Sequence, residues 1–145
     1  MIRPYQPDDL QPLLTVFRQN TPVYFAVHEE AELVEYLTTL QNPQYVFVEG
    51  ETVLGTAGWA VPQNESAGRI AWVFVLPDSH GNGVGRQLLD HCLRELRQQP
   101  NLKKIAVRTS QYADKFFARF GFVQVHYKPD FWAPGIHLVH MEMPI

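Results

Sequence analysis

The sequence predicts a mixed α/β (α+β) domain in which a central, largely antiparallel sheet of about six or seven strands carries about four helices. Three observations predict it. Four stretches repeat apolar residues at helical spacing, and seven others read as short strands bounded by turn residues. Two of those strands are separated only by a short Gly-Glu turn, a hairpin signal. The order β, α, α, β, β, β, α, β, α, β, β also sets one long helix between strands, as a crossover would.

Taken in order, "MIRPY" reads as a short edge strand, and "PDDLQPLLTVFRQN" as a helix whose acidic first turn suits the helix dipole. After "TPVYFAVH", residues 29 to 40 carry Ala31, Leu33, Val34, Leu37 and Leu40 at helical spacing. "YVFVEG" and "TVLGTAGWAV" form the hairpin, and "RIAWVFVLP" is a further strand stopped by Pro77, which cannot continue a ladder. The clearest helix covers 83 to 98. Val84, Leu88, Leu89, Cys92, Leu93 and Leu96 share one side of it, with Arg86, Asp90, Arg94 and Arg97 opposite. "KKIAVRT" is a strand, "QYADKFFARF" a helix closed by Gly121, and "FVQVHYK" and "IHLVHMEM" are the last two strands.

With 145 residues and neither repeat nor linker, residues 1–145 are expected to form a single domain. A content of 46% hydrophobic and 19% charged residues excludes disordered and fibrous classes. The net charge of −3 argues against a nucleic-acid partner, which asks for a dense basic face. "MIRPYQPDDL" lacks the apolar core of a signal peptide, and no stretch approaches transmembrane length, so no membrane association is expected. The single cysteine, Cys92, allows no intrachain disulfide and stands in a packing pattern, which fits a reducing, cytoplasmic setting. His126, His137 and His140 lack the paired spacing of a zinc site, and no metal is expected. The oligomeric state is left open, a homodimer included.

The densest chemical signal is "SHGNGVGRQLL", which spends three of nine glycines at alternate positions between a strand and a helix. Such a turn presents free backbone N–H groups at a helix N-terminus, a site suited to phosphate. Neither familiar nucleotide loop fits. The dinucleotide fingerprint would need a third glycine at Arg86 or Leu88, and a P-loop would need Lys and Ser or Thr where Arg86 and Gln87 stand.

"VLPDSHGNGVGRQLL" instead resembles the acetyl-CoA signature of the GCN5-related N-acetyltransferase (GNAT) superfamily: Arg or Gln, two residues, Gly, one residue, then Gly or Ala. His80, Gly83 and Gly85 take those positions, and "ADKFFARFGF" is similar to the family's second motif. The order of elements matches over almost the whole chain. The resemblance implies a sheet splayed at the cofactor site, with the acyl donor acetyl-CoA held by Phe74, Val75, His80, Gly81, Asn82, Gly83, Val84, Gly85 and Arg86. Arg86 and Lys115 could add charge for the nucleotide end, and the backbone N–H of Val75 would steady the thioester oxygen.

Two departures matter. His80 replaces Arg or Gln; the family uses that residue largely through its backbone, while an imidazole side chain in contact with phosphate would make binding pH dependent. Phe117 stands where the family often has a Tyr that protonates the departing thiolate. Tyr112 and Ser110 are the replacement donors, with packing and helix capping as their other readings. An amine of pKa near ~10.4 must also lose a proton before it can attack. His126 is the candidate base, with His28 and Glu29 nearer the expected acceptor side. Trp72 and Phe74 share one strand face, opposite Val73 and Val75. With Tyr24, Phe25, His28, Phe131 and Trp132, the aromatics suggest a compact, partly apolar acceptor pocket. Three functions follow: N-acetyl transfer to a small amine or amino-acid-like molecule, a non-catalytic CoA-binding module, and a protein or peptide N-acetyltransferase.

Overall fold

A computed structural model of residues 1–145 gives a seven-stranded sheet in the order β1-β2-β3-β4-β5-β7-β6. Its elements are β1 (Ile2–Pro4), α1 (Leu10–Gln19), α2 (Glu29–Thr38), β2 (Gln44–Glu49), β3 (Thr52–Ala60), β4 (Ala67–Val75), α3 (Val84–Arg97), β5 (Lys104–Thr109), α4 (Asp114–Ala118), β6 (Val123–Ala133) and β7 (Ile136–Pro144). Every neighbouring pair is antiparallel except β4 and β5, which α3 joins as a crossover.

Each sheet face has its own core. Leu13, Phe17, Leu33 and Leu37 of α1 and α2 pack on Val46, Val48, Val53 and Phe74. On the opposite face, Val84, Leu88, Leu89, Cys92, Leu93 and Leu96 of α3 are all buried against Ile70, Val75, Ile105 and Val107. Burial, with Glu95 near by, pushes the Cys92 thiol up to about 12, which makes it an inert packing group. No helix is long and apolar enough to cross a membrane.

Arg3 ties β1 to the start of α1. Its guanidinium donates to both carboxylate oxygens of the buried Asp9 (2.8 Å each), which also accepts the Gln6 N–H at 2.8 Å. The Arg3 hydrogen bonds hold the Asp9 carboxyl below its usual range against the opposing effect of burial. A depressed native pKa contributes stability that is complete above the unfolded value of ~3.9 and is lost as pH falls through the native one. Asp9→Asn is therefore expected to destabilise the protein by about 1.5–3 kcal/mol at pH 7. Melting curves of the two proteins should converge toward pH 3; a gap that does not narrow would contradict this account.

Two elements differ from the sequence reading. The helix expected over 111–120 is helical only at Asp114–Ala118, because the Ser110 carbonyl takes the amides of Ala113 and Asp114 in a turn and Gly121 (φ +105°) ends the segment. β6 runs on to Ala133 and carries two register shifts, the larger between Lys128 and Ala133. There Asp130 (φ +54°) donates its N–H to His137 Nδ1 at 2.9 Å and accepts from the Gly135 N–H at 2.7 Å.

Candidate active site

The site forms where β4 ends. The chain leaves Val75, makes a short 3-10 turn over Pro77–Ser79, and enters α3 through Gly83. Gly81 (φ +84°) and Gly83 (φ +83°) hold left-handed backbone that side chains other than glycine adopt only with strain. Gly85 is needed for a different reason: a Cβ there would stand 3.4 Å from the Phe116 ring, on the line where α3 meets α4. The amides of Gly81, Gly83, Val84, Gly85 and Arg86 make no hydrogen bond within the protein. At the positive end of a fourteen-residue helix they could receive a pyrophosphate, and the space a Gly81 Cβ would enter is open. Val84 contributes only backbone there, since its side chain is in the core, and Asn82 is exposed.

β4 is bent by a bulge. Thr56 pairs with Phe74 and Gly58 with Ala71, so Trp72 and Val73 together face Ala57, with Trp72 at φ +48°. Trp72 and Phe74 consequently pack toward α1 and α2, whereas Ile70 joins Val73 and Val75 on the α3 side. β4 and β5 pair only from Ala67↔Lys104 to Arg69↔Ala106 and then part. The Leu76 N–H donates to Leu54 across the β3 side, and by alternation the Val75 amide and carbonyl point into the gap. Asn20 Nδ2 donates to that carbonyl at 3.0 Å. His80 Nε2 also lies 3.0 Å from it and must carry the proton to bond a carbonyl. The His80 ring is thus turned toward β4.

The gap opens as a cleft of about 650 Å³ that joins the glycine loop on the α3 face to the α1–α2 side. Phe25 stacks on Trp72 (6.4 Å, 23°), and Tyr24 stands edge-on to both His80 (5.3 Å) and Tyr112 (6.1 Å). Trp132 borders the cleft and donates its Nε1–H to the Thr109 carbonyl at 3.1 Å. Glu29, only 5% exposed, borders it too. One carboxylate oxygen accepts the Ala26 N–H at 2.8 Å, and burial raises its pKa more than that bond lowers it.

Tyr112 lies in the turn before α4, half exposed at the cleft. Beside it, Gln111 donates to the Gly135 carbonyl (2.7 Å) and accepts the His137 N–H (3.0 Å), pinning the turn to the β6–β7 hairpin. Ser110 is buried on the cleft wall and accepts the Tyr112 N–H at 3.3 Å, a turn-forming bond rather than a helix cap, the cap position being Ala113. Phe117 is buried against Phe116 and Phe122 at the cleft's inner wall. Lys115 is exposed.

Two expected residues are not brought in. His126 is exposed on β6, the outermost strand, because both register shifts and the edge position defeat its presumed alternation with Phe122 and Gln124. His28 is exposed and borders a separate open depression with Val27 and Pro134. Asn20, Arg108 and Gln111 were not legible as site residues. An Asn at a helix end, an Arg in a strand and a Gln in a turn carry no spacing signal.

A family model described as an acetyltransferase (GNAT) domain matches residues 14–145. Among curated proteins, none matches the chain. Crystal structures with the same fold include Ard1 from Thermoplasma volcanium (19% identity, TM-score 0.80, covering 100% of this chain and 97% of that one). A phosphinothricin acetyltransferase from Sinorhizobium meliloti, in complex with AcCoA, shares 16% identity at TM-score 0.81 over 100% and 88% of the two chains. The ribosomal-protein-S18-alanine N-acetyltransferase from Escherichia coli shares 16% at TM-score 0.78 over 100% and 93%. With the glycine loop, the parted strands and a family match spanning all but the first thirteen residues, the chain belongs to the GNAT family of acetyltransferases.

Proposed function

We propose that residues 1–145 work as one acyl-CoA-dependent N-acyltransferase domain that moves an acetyl group from acetyl-CoA to a primary amine of a small molecule by direct attack. One observation carries this reading: the free amides of the glycine loop and the buried Glu29 open into the same cleft, through the gap between β4 and β5. Acetyl-CoA supplies the acetyl group as an activated thioester. The loop from His80 to Arg86 holds its pyrophosphate, and the Val75 N–H steadies charge building on the thioester oxygen.

Glu29 takes a proton from the acceptor's ammonium and passes it to water, freeing the lone pair that forms the C–N bond. The C–S bond then breaks, the nitrogen gives its second proton to water, and the Tyr112 hydroxyl protonates the thiolate sulfur and regains its proton from water. The setting is cytoplasmic in this reading, in keeping with a single buried cysteine. Phe117, a ring with no proton to give, is the feature that favours the alternative of a CoA-binding module without catalysis.

The test is an amine panel followed by free thiol release, with small amines and peptides side by side. Turnover of small amines well above peptides is expected. Acetyl-CoA binding without turnover of any amine would favour the binding module, and preference for peptides would favour a protein acetyltransferase. Because Glu29 must be ionised to act, kcat/KM should fall with decreasing pH along a limb above the usual ~4.3 of a glutamate. Glu29→Gln should lower kcat/KM by about 10²-fold and remove that limb. An unchanged pH profile would exclude Glu29 as the base.

A further inference from the structure

Arg108 borders the cleft yet has no part in the chemistry above. It makes no hydrogen bond and no ion pair; its guanidinium carbon stands 4.9 Å over the Phe131 ring and 5.8 Å from the Trp132 ring. On β5 it alternates with Ile105 and Val107, which pack toward α3, so Arg108 projects to the other face, that of Trp72 and Phe74. The other cations at the cleft lie elsewhere. Arg86 is in the first turn of α3, 4.0 Å from Asp90, and Arg119 follows the end of α4.

The acceptor side therefore holds opposite charges on separate elements. α2 offers Glu29, which has one oxygen not engaged by Ala26, and Glu32 at the cleft one turn further on. β5 offers a guanidinium whose five donors are all unspent, and aromatic walls lie between. The guanidinium is also placed by the fold: the shift in β6, fixed by Asp130, His137 and Gly135, sets Phe131 and Trp132 against it. Stacking of this kind limits the freedom an arginine loses on binding, and the planar fork matches a carboxylate with two parallel hydrogen bonds.

We propose that the acceptor is an α-amino acid or a close amino-carboxylate, with Arg108 as the specificity-determining residue that receives its carboxylate while Glu29 receives its ammonium. The assignment rests on the acetyl-transfer reading and narrows it. A simple amine or diamine would leave the exposed guanidinium of Arg108 without an anionic partner, whereas an amino acid satisfies both ends of the site.

The experiment compares the protein amino acids, each beside its primary carboxamide, and 1,4-diaminobutane as acceptors in wild type, Arg108→Gln and Arg108→Lys. The amide keeps the side chain and an amine that is more easily deprotonated, so any preference for the acid reports the carboxylate. At least one amino acid should exceed its amide in kcat/KM by about 10- to 100-fold. Arg108→Gln should reduce that ratio to near one through KM for the acid, leave the amide rate unchanged, and keep the stabilisation by acetyl-CoA. Arg108→Lys should retain part of the preference. Amides or the diamine matching every acid would overturn the acceptor class while leaving acetyl transfer standing. A preference that survives in Arg108→Gln would overturn the role of Arg108. Thiol release with no member of the panel, although acetyl-CoA still binds, would overturn both this assignment and the small-molecule reading beneath it.

Discussion

Gly83→Val is expected to abolish the thermal stabilisation that acetyl-CoA gives the wild-type protein. A ligand at a hundred times its Kd stabilises the native state by about 2.7 kcal/mol, which for a domain of this size raises Tm by roughly 5–10 °C. In the variant that rise should vanish. Gly83 sits at φ +83° with its amide facing outward among the other free donors of the loop. Valine resists this backbone conformation, and its branched side chain enters the space the phosphates need. The strain alone lowers the ligand-free Tm by a few degrees, so the readout is the shift on adding acetyl-CoA. Gly83→Ala, which has the backbone strain but little bulk, should lie between the two. Equal shifts in wild type and Gly83→Val would remove the loop from the binding site.

Tyr112→Phe should lower kcat by 10²- to 10⁴-fold, about 3–5 kcal/mol of barrier, while acetyl-CoA affinity stays nearly constant. The phenol borders the cleft on a turn held at both ends, by Ser110 on one side and by Gln111 on the other. Removing one oxygen leaves ring and turn in place, so a loss of rate without a loss of affinity isolates the proton. In the Tyr112→Phe background, adding Phe117→Tyr should restore part of the rate, since the Phe117 ring lines the same cleft. Full activity in Tyr112→Phe would mean that the thiolate leaves unaided or takes its proton from water or Ser110.

The long helix was legible because six apolar residues at helical spacing leave α3 only one face to bury, and all six are buried. The glycine loop was legible because three glycines before a helix have few explanations. The parting of β4 from β5 followed from the resemblance, and the pairing stops at Arg69↔Ala106. What escaped depends on tertiary packing. Glu29 was named in sequence only beside His28 and behind His126, because it looks like one more acid in a helix first turn; only the packing of α2 on the sheet buries it at the cleft. His126 was misplaced because alternation identifies an inward face only on a strand that has one, and β6 is exposed along nearly its whole length. The bulge at Trp72 has no sequence mark either, since no glycine announces it.

The two hydrogen bonds of Gln111 join the turn bearing Tyr112 to the hairpin bearing Trp132 as one mechanical piece. The turn and the hairpin thus share one set of supports: displacing the hairpin would displace the Tyr112 ring with it, although neither Gln111 nor Gly135 borders the cleft itself.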